Sequence, residues 1–418
     1  MTELLIRGAK QVVTLAGPAR PRLKQEMREL SIIEDGAVLT RDEHIVAVGK
    51  QNEVRNLASP LAEQIDAGGC VVMPGFVDAH THPVYAGTRE DEYEMRAEGY
   101  TYQQIAERGG GILSTVRKTR AASEDELFEL AIPRLRLMLE HGTTTAEAKS
   151  GYGLSVEDEL KILRVIRRLD ESQEIDLVPT FLGAHEVPEE YRASREDYLD
   201  LVTKEMLPAV ASQKLARYAD VFCETRIFSV EEARRVLSRA ATLGLGLRAH
   251  VEQLSLSGGA ELCAQLKAAS ADHLEWVDDD GVNALQRSGV IALLLPGAVF
   301  NLGLVQYAPA RKLIDAGVPV GLATDFNPGS SPTPSMQLVM SIACAQMKMT
   351  PAEAVSASTI NPAYSLGLGA SIGSIEPGKR ADIVVYDCAD YRQIPYLFGV
   401  NHASTVIKGG RVVYVRRS

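Results

Sequence analysis

This sequence has no cysteine pattern that could staple it. Its five cysteines, Cys70, Cys223, Cys263, Cys344 and Cys388, are scattered, odd in number and never spaced as CxxC. That excludes a disulfide framework and reads as reduced, mostly buried thiols of a cytoplasmic chain. Basic charge is short as well, with 44 Lys+Arg against 55 Asp+Glu and a net charge of -11. Nucleic acid and anionic membrane both recruit a basic face, so neither is expected as a main partner. No apolar run reaches the roughly 18 residues that a membrane helix needs. The opening "MTELLIRGAKQVV" is a strand-like run broken by Arg7 and Lys10, not a signal peptide. A phosphate loop is missing too: "ERGGGILST" has no strand leading in and no GKT/S after it, and reads as a mobile loop.

What is present is the composition of a globular protein, 45% apolar and 24% charged over 418 residues. That length allows one large domain, or a large one with a smaller companion. Residues 1–70 and 369–418 are short β-type runs such as "SIIEDGAVLTRDEHIVAVGK" and "STVIKGGRVVYV", parted by Gly-rich or Asp-Gly turns. Residues 19–29, "ARPRLKQEMRE", are polar without a clear period and are expected to form a loop. Between 71 and 368, apolar strands alternate with helical patterns. In one of these, Val156, Leu160, Leu163 and Ile166 recur at helix spacing behind a Ser155 N-cap.

Eight candidate strands can be counted there: "GFVDAHTH", "GTTTAEAKS", "IDLVPTFLGAHEV", "ADVFCET", "GLGLRAHVEQ", "ASADHLEWV", "GVIALLLPG" and "VPVGLATDFN". Eight strands with intervening helices predict an α/β fold, a (β/α)8 TIM-like barrel. A doubly wound sheet would show a phosphate loop after its first strand, whereas this first strand ends in His-Thr-His. The two terminal stretches are expected to combine into a small accessory β-sandwich domain.

In a barrel the C-terminal strand ends share one mouth. Of eight histidines, His80 and His82 fall at the first strand end, His185 at the third, His250 at the fifth and His273 at the sixth. Asp325 ends the eighth strand, while His44, His141 and His402 lie elsewhere and read as surface or locally bonded. Two imidazoles at i and i+2 of a strand share a face and can converge on one ion. His250 and Asp325 would add a nitrogen and a carboxylate, a shell that suits zinc or iron better than calcium or magnesium.

This constellation, with the terminal phrase "GSIEPGKRADIVVYD", resembles the amidohydrolase superfamily. Within it, "THPVYAGTRED", "EAKSGYGLS", "FLGAHEVP" and "TDFNPGSSPT" resemble the imidazolonepropionase family, cyclic amidases of histidine breakdown, over nearly the whole chain. The resemblance implies one divalent metal per subunit, Zn2+ or Fe2+/Fe3+, on His80, His82, His250 and Asp325. It implies substrate contacts from Arg89, Tyr152 and His185, with Tyr102 a weaker candidate. Asn327, Gly329 and Ser330 would hold the acidic part of the substrate. Arg89 offers a fork for a propionate, and a Gly-containing loop can offer N–H groups to an anion. The alternative for Arg89 is an ion pair with Glu90 or Asp91. A homodimer and a small-molecule substrate are implied as partners.

One position departs from the related deaminases, which carry glutamate three residues after the fifth-strand histidine. Here Gln253 stands there, with Glu252 before it. Adjacent strand residues face opposite sides, so only one of them can point at the substrate: Gln253 is favoured as the contact, with Glu252 as a rotated proton shuttle the alternative. Lys149 lies on the second strand and not the fourth, which argues against a lysine-bridged metal pair; Glu224 remains as a possible second-metal ligand. The expected reaction is hydrolysis of the cyclic amide of 4-imidazolone-5-propanoate to N-formimidoyl-L-glutamate. Asp325 would act as acid/base group and His273 would steady the oxyanion. The competing readings are a purine or pyrimidine deaminase and, more remotely, a catalytically dead scaffold.

Overall fold

The computed structural model describes residues 2–100, 104–105 and 108–416. Its first strands are β1 (Glu3–Val13), β2 (Ile32–Arg41), β3 (His44–Lys50), β4 (Glu63–Asp66) and β5 (Val71–Pro74). Next come β6 (Phe76–Asp78), β7 (Thr143–Lys149), β8 (Asp176–Ala184), β9 (Tyr218–Cys223), β10 (Gly246–Val251), β11 (Ser270–His273), β12 (Ile291–Leu294) and β13 (Val320–Leu322). The last are β14 (Ile383–Tyr386), β15 (Ala403–Lys408) and β16 (Arg411–Val415).

The two ends of the chain share one sheet, in the order β16-β15-β14-β5-β1-β2-β3, with β4 beside β1. Alternating residues Leu4 and Ile6, Ile383 and Val385, together with Val38, Val72 and Ile407, bury one apolar cluster of its own. The Asp-Gly turn expected at Asp35-Gly36 is instead inside β2, where Gly36 pairs with both Ala9 and Lys50. The reversal falls at Asp42, which takes the left-handed backbone at φ 48°. Strand pairing on both sides overrode the local turn preference.

β5 still pairs with β14, so the change of sheet comes a few residues beyond the boundary expected after residue 70. It comes at Gly75, whose N–H donates to the Asp382 carbonyl (2.9 Å) while the next N–H, of Phe76, donates to Gly142 (2.9 Å). A Cβ on Gly75 would lie 2.3 Å from the Thr144 side chain, so a side chain here would push the two sheets apart. Lys408 fastens them again, reaching Asp382 (2.7 Å) and Asp176 of β8 (2.8 Å) from a buried position.

β6 to β13 lie side by side in chain order and all parallel. All eight strands expected from the sequence are present. A bridge between Thr81 and Phe326 joins the last to the first, with the Thr324 hydroxyl donating to Asp78 (2.6 Å) just below. Helices cover the outside. The helix Val156–Ser172 starts on Ser155, whose hydroxyl accepts the Asp158 N–H. It buries Leu160, Leu163 and Ile166, each contributing about 1.5–3 kcal/mol, and leaves Val156 partly covered.

Inside the barrel the side chains stack in layers. Val77, Val178, Tyr218, Ile291 and Leu293 close the lower end against Ala363, Leu366 and Ile372. Above them lies a charged layer of Glu147, Lys149, Asp220, Arg248 and Asp272, each fully buried. Their apolar strand neighbours, such as Ala146, Ala148, Val221, Leu247 and Ala249, belong to the core packed under the helices.

Residues 19–29 are not a loose polar loop. Lys24–Arg28 form a 3-10 turn with Met27 wholly buried. Arg22 is buried and donates to the Leu15 carbonyl (2.9 Å), and Arg28 and Arg311 both grip Glu353 (3.0 and 2.9 Å). The polar residues tie the segment to the barrel. His44 is exposed and the His141 ring bonds the Leu137 carbonyl (2.8 Å), but His402 is buried and not a surface residue.

Candidate metal centre and active site

β6 ends at Asp78, and His80 and His82 follow it in a segment stitched to the end of β13. The His82 N–H donates to Phe326 (2.9 Å) and the Asp325 N–H donates to His80 (3.1 Å). The first and eighth strand ends thus position each other's polar side chains. Nε2 of His80 and Nε2 of His82 each lie 3.6 Å from Oδ1 of Asp325. Ligand atoms of His80, His82 and His250 are mutually within 4.8 Å, as are those of His80, His273 and Asp325.

The gap at the centre of this group fits a metal ion. A separation of 3.6 Å is too long for a hydrogen bond. It is close to the ~3.4 Å that separates two donors sharing a tetrahedral ion at about 2.1 Å from each. Nε2 of His80 is buried with no hydrogen-bond partner, a costly state for a nitrogen unless a cation takes its lone pair. Its Nδ1 lies 2.6 Å from Asp272, and Nδ1 of His250 lies 3.0 Å from Asp220. A carboxylate only accepts, so both rings carry their proton on Nδ1 and turn a bare Nε2 toward the gap.

Burial keeps these rings neutral. It pushes His80 and His82 well below the ordinary histidine range, the neighbouring Lys149 and histidines adding to the effect, and brings His250 and His185 to about 4. Burial raises Asp325 to about 6, with His273 restraining the rise. His273 differs: burial opposes its charge, but Glu275 beside it (3.4 Å), with Asp325, more than compensates and holds its pKa above the ordinary value. Its backbone is also unusual, at φ 83° with Leu274 at 68°. This twist turns His273 toward the mouth even though the preceding Asp272 already faces inward.

Above the imidazoles opens a cavity of about 500 Å3. His82, Tyr152, His185, His250, Gln253, His273 and Asp325 line it together with Arg89 and Arg96, and Phe222, Ile105, Leu302 and Leu304 supply apolar wall. The His185 ring stacks on His82 at 5.4 Å and 17°, its Nδ1 bonded to the Gly151 carbonyl (2.9 Å). Burial raises the Tyr152 hydroxyl pKa, so the group stays protonated.

Arg89 pairs with neither Glu90 nor Asp91. It donates to Glu92 (2.6 Å), whose other oxygen accepts the Gly111 N–H (2.9 Å). The glycine run beside the mouth is therefore tied down at Gly111. Nε of Arg89 remains buried and unpartnered. The loop after Asp325 differs from its expected use. The N–H groups of Gly329 and Ser330 already donate to Oδ1 of Asn327 (2.7 and 2.8 Å), so they are not turned to an anion. Gly329 makes room instead: a Cβ there would lie 2.1 Å from Nη1 of Arg89. The Ser330 hydroxyl donates to Oδ2 of Asp325 (3.2 Å).

β10 stops at Val251, so Glu252 and Gln253 are not strand neighbours as expected. Glu252 adopts φ 50° and accepts the Ala260 N–H (3.1 Å) away from the cavity, while Gln253 lines it. The Glu224 carboxylate is engaged by its own surroundings, accepting from the N–H groups of Thr225, Leu254 and Ser255 and from the Ser255 hydroxyl. Tyr102 lies outside the described residues. Sequence reasoning missed Asp220, Asp272, Glu92 and Glu275. The available signal was a carboxylate inside an otherwise apolar strand, in "ADVF" and "SADH".

Residues 71–413 match the sequence profile of the amidohydrolase family. The chain is 54% identical over 417 residues to the imidazolonepropionase of Solibacter usitatus (strain Ellin6076), covering 100% of both chains. It is 51% identical over 417 residues to that of Geobacillus kaustophilus (strain HTA426), covering 99% of this chain and 98% of the other. Solved folds are similar at lower identity. An adenosine deaminase from Xanthomonas campestris with bound zinc superposes with a TM-score of 0.74 at 20% identity, over 100% of this chain and 94% of that one. Escherichia coli guanine deaminase gives 0.73 at 16%, over 100% of both. The chain belongs to the amidohydrolase family and, within it, to the imidazolonepropionases.

Proposed function

We propose that this chain hydrolyses the cyclic amide of 4-imidazolone-5-propanoate to N-formimidoyl-L-glutamate, with one divalent ion, zinc or iron, held by His80, His82, His250 and Asp325. The observation that carries the reading is a buried imidazole-carboxylate cluster and the Arg89 guanidinium lining one cavity of about 500 Å3. That pairing suits a substrate with a hydrolysable carbonyl at one end and a carboxylate at the other. Full-length identity with curated imidazolonepropionases supports the same substrate.

The propionate lies against Arg89, whose unpartnered Nε can donate to it. Gln253 hydrogen-bonds the ring amide, and Tyr152 and His185 fix the ring from the side. Asn327, Gly329 and Ser330 shape the loop that backs Arg89 and Asp325. When bound, the ion supplies Lewis-acid chemistry, polarising the carbonyl and acidifying water. Asp325, at about 6, is ionised near neutral pH yet basic enough to take a proton from the attacking water and return it to the departing ring nitrogen. His273 is favoured as imidazolium by Glu275 and donates to the carbonyl oxygen as negative charge develops on it.

The test is incubation with freshly prepared imidazolone propionate. The expected product has the substrate's mass plus one water, with no ammonia in the same turnover. Release of ammonia with the ring intact would point to a deaminase. A reducing, cytoplasmic setting is supported by five free cysteines, and no helix among the described residues is long and apolar enough to cross a membrane. We propose a homodimer, supported by the exposed apolar stretch around Tyr396 and Phe398 (77% and 74% exposed) and checked by light scattering.

A further inference from the structure

Two lysine and arginine cations and three carboxylates are sealed in the barrel one layer below the histidines. Burying charge at this density is expensive and stabilises little for its own sake. Its contacts have a direction, however. Asp220 divides its two oxygens: Oδ1 faces the backbone N–H (3.2 Å) and Nδ1 (3.0 Å) of His250, and Oδ2 takes Nζ of Lys149 (2.6 Å). Lys149 also binds Glu147 (2.7 Å) and lies 3.8 Å from Oδ2 of Asp272, the same oxygen that holds Nδ1 of His80 at 2.6 Å. Arg248 closes the layer, with Nη2 at 2.7 Å from the Ala79 carbonyl and 3.8 Å from Asp272.

We infer that Lys149 and Asp220 form a positioning relay for the metal centre: Lys149 orients Asp220, and Asp220 fixes His250 with its proton on Nδ1 and its Nε2 lone pair toward the ion. Asp272 does the same for His80 from the far side of the lysine. The inference rests on the metal reading and concerns residues that touch neither ion nor substrate.

The geometry makes the two aspartates unequal. In Asp220→Asn the amide must keep its carbonyl oxygen on the Lys149 ammonium, which puts its NH2 group against the His250 N–H and Nδ1. To accept that donor, His250 must move its proton to Nε2 and withdraw its lone pair. In Asp272→Asn the His80, Lys149 and Arg248 nitrogens all face the same oxygen, so the carbonyl can stay in place and the tautomer persists.

The experiment is competition for Zn2+ between the protein and a chromophoric chelator, with ring-15N spectra of histidine-labelled protein. Asp220→Asn is expected to lose about 10–100-fold in Zn2+ affinity and to show one histidine with inverted tautomer. Asp272→Asn is expected to lose less than Asp220→Asn and to keep its tautomers. The charge-conserving pair Glu147→Gln with Lys149→Met keeps the layer's net charge and frees Asp220. It is expected to weaken Zn2+ binding while circular dichroism remains native, which preserves the test if a single variant fails to fold. Wild-type affinity and tautomers in folded Asp220→Asn, or in the folded pair, would overturn the relay. Wild-type protein that binds no Zn2+ would sink the metal reading and the relay together, a result distinct from either.

Discussion

Gly329 shows how much a single residue decides. Nothing in its backbone demands glycine; the demand comes from the Arg89 guanidinium, 2.1 Å from where a Cβ would stand. Gly329→Ala therefore displaces the fork without removing its charge. Steady-state kinetics should show KM for the propionate substrate raised about tenfold or more, the scale of one charge-assisted hydrogen bond, with kcat nearly unchanged. An unchanged KM would mean that Arg89 does not grip the substrate. His273 should behave in the opposite way. His273→Ala removes a donor aimed at developing charge, so kcat should fall by about 10²–10³ with KM little altered. Near-full turnover in that variant would remove His273 from the mechanism. Of these two positions, His273 was legible at its strand end, while Gly329 was visible only as part of a loop.

At the scale of elements, the segment Lys24–Arg28 and the helix Pro351–Ala357 are joined through Glu353. Glu353 is buried; although burial alone would raise it, hydrogen bonds from Arg311, Thr350 and Arg28 hold its pKa at about 2 against an ordinary 4.5. The sign follows from linkage. A carboxylate depressed in the folded state contributes stability that is fully present above about pH 4.5 and is lost as pH falls toward 2. Glu353→Gln should cost about 2–3 kcal/mol at pH 7, read as a lowered thermal midpoint. The gap between variant and parent should narrow steadily below pH 4.5; a gap independent of pH would show that packing, not charge, holds the insert. Composition alone placed this segment among loops, because a polar side chain looks the same whether it meets solvent or a buried partner.

For the whole molecule, the metal centre, the charged layer and the strand junction are one connected structure. Strands β6 and β13 meet through Asp78, Thr324, His80 and Asp325, so an ion on the proposed ligands would sit at the junction that closes the barrel. Removing the ion should leave opposed lone pairs inside. Dialysis against chelator is expected to abolish activity and to lower the thermal midpoint, with both restored by Zn2+ or Fe2+. At free metal about 1,000-fold above Kd, the linkage is worth about 4 kcal/mol. A midpoint indifferent to metal would place the ion elsewhere. Lys408→Met tests the other junction: loss of a buried cation between Asp382 and Asp176 should cost about 3–5 kcal/mol, measured by denaturant unfolding.

The barrel, its eight strands and the polar groups that gather at its mouth were legible in the chain before any contact was known. Those follow from local periodicity and from which residues end each strand, and both are written in consecutive letters. Which neighbour faces in emerged only from the packed fold. It turned Glu252 away and left Gln253 in the cavity, and it twisted His273 to the same side as Asp272. It spent the N–H groups of Gly329 and Ser330 on Asn327 and gave Arg89 to Glu92. It also assembled Lys149, Asp220 and Asp272 under the histidines. The physical reason is common to all of them. Strand-end backbone angles and buried hydrogen bonds are settled between segments far apart in the chain, where each donor must find an acceptor once water is excluded.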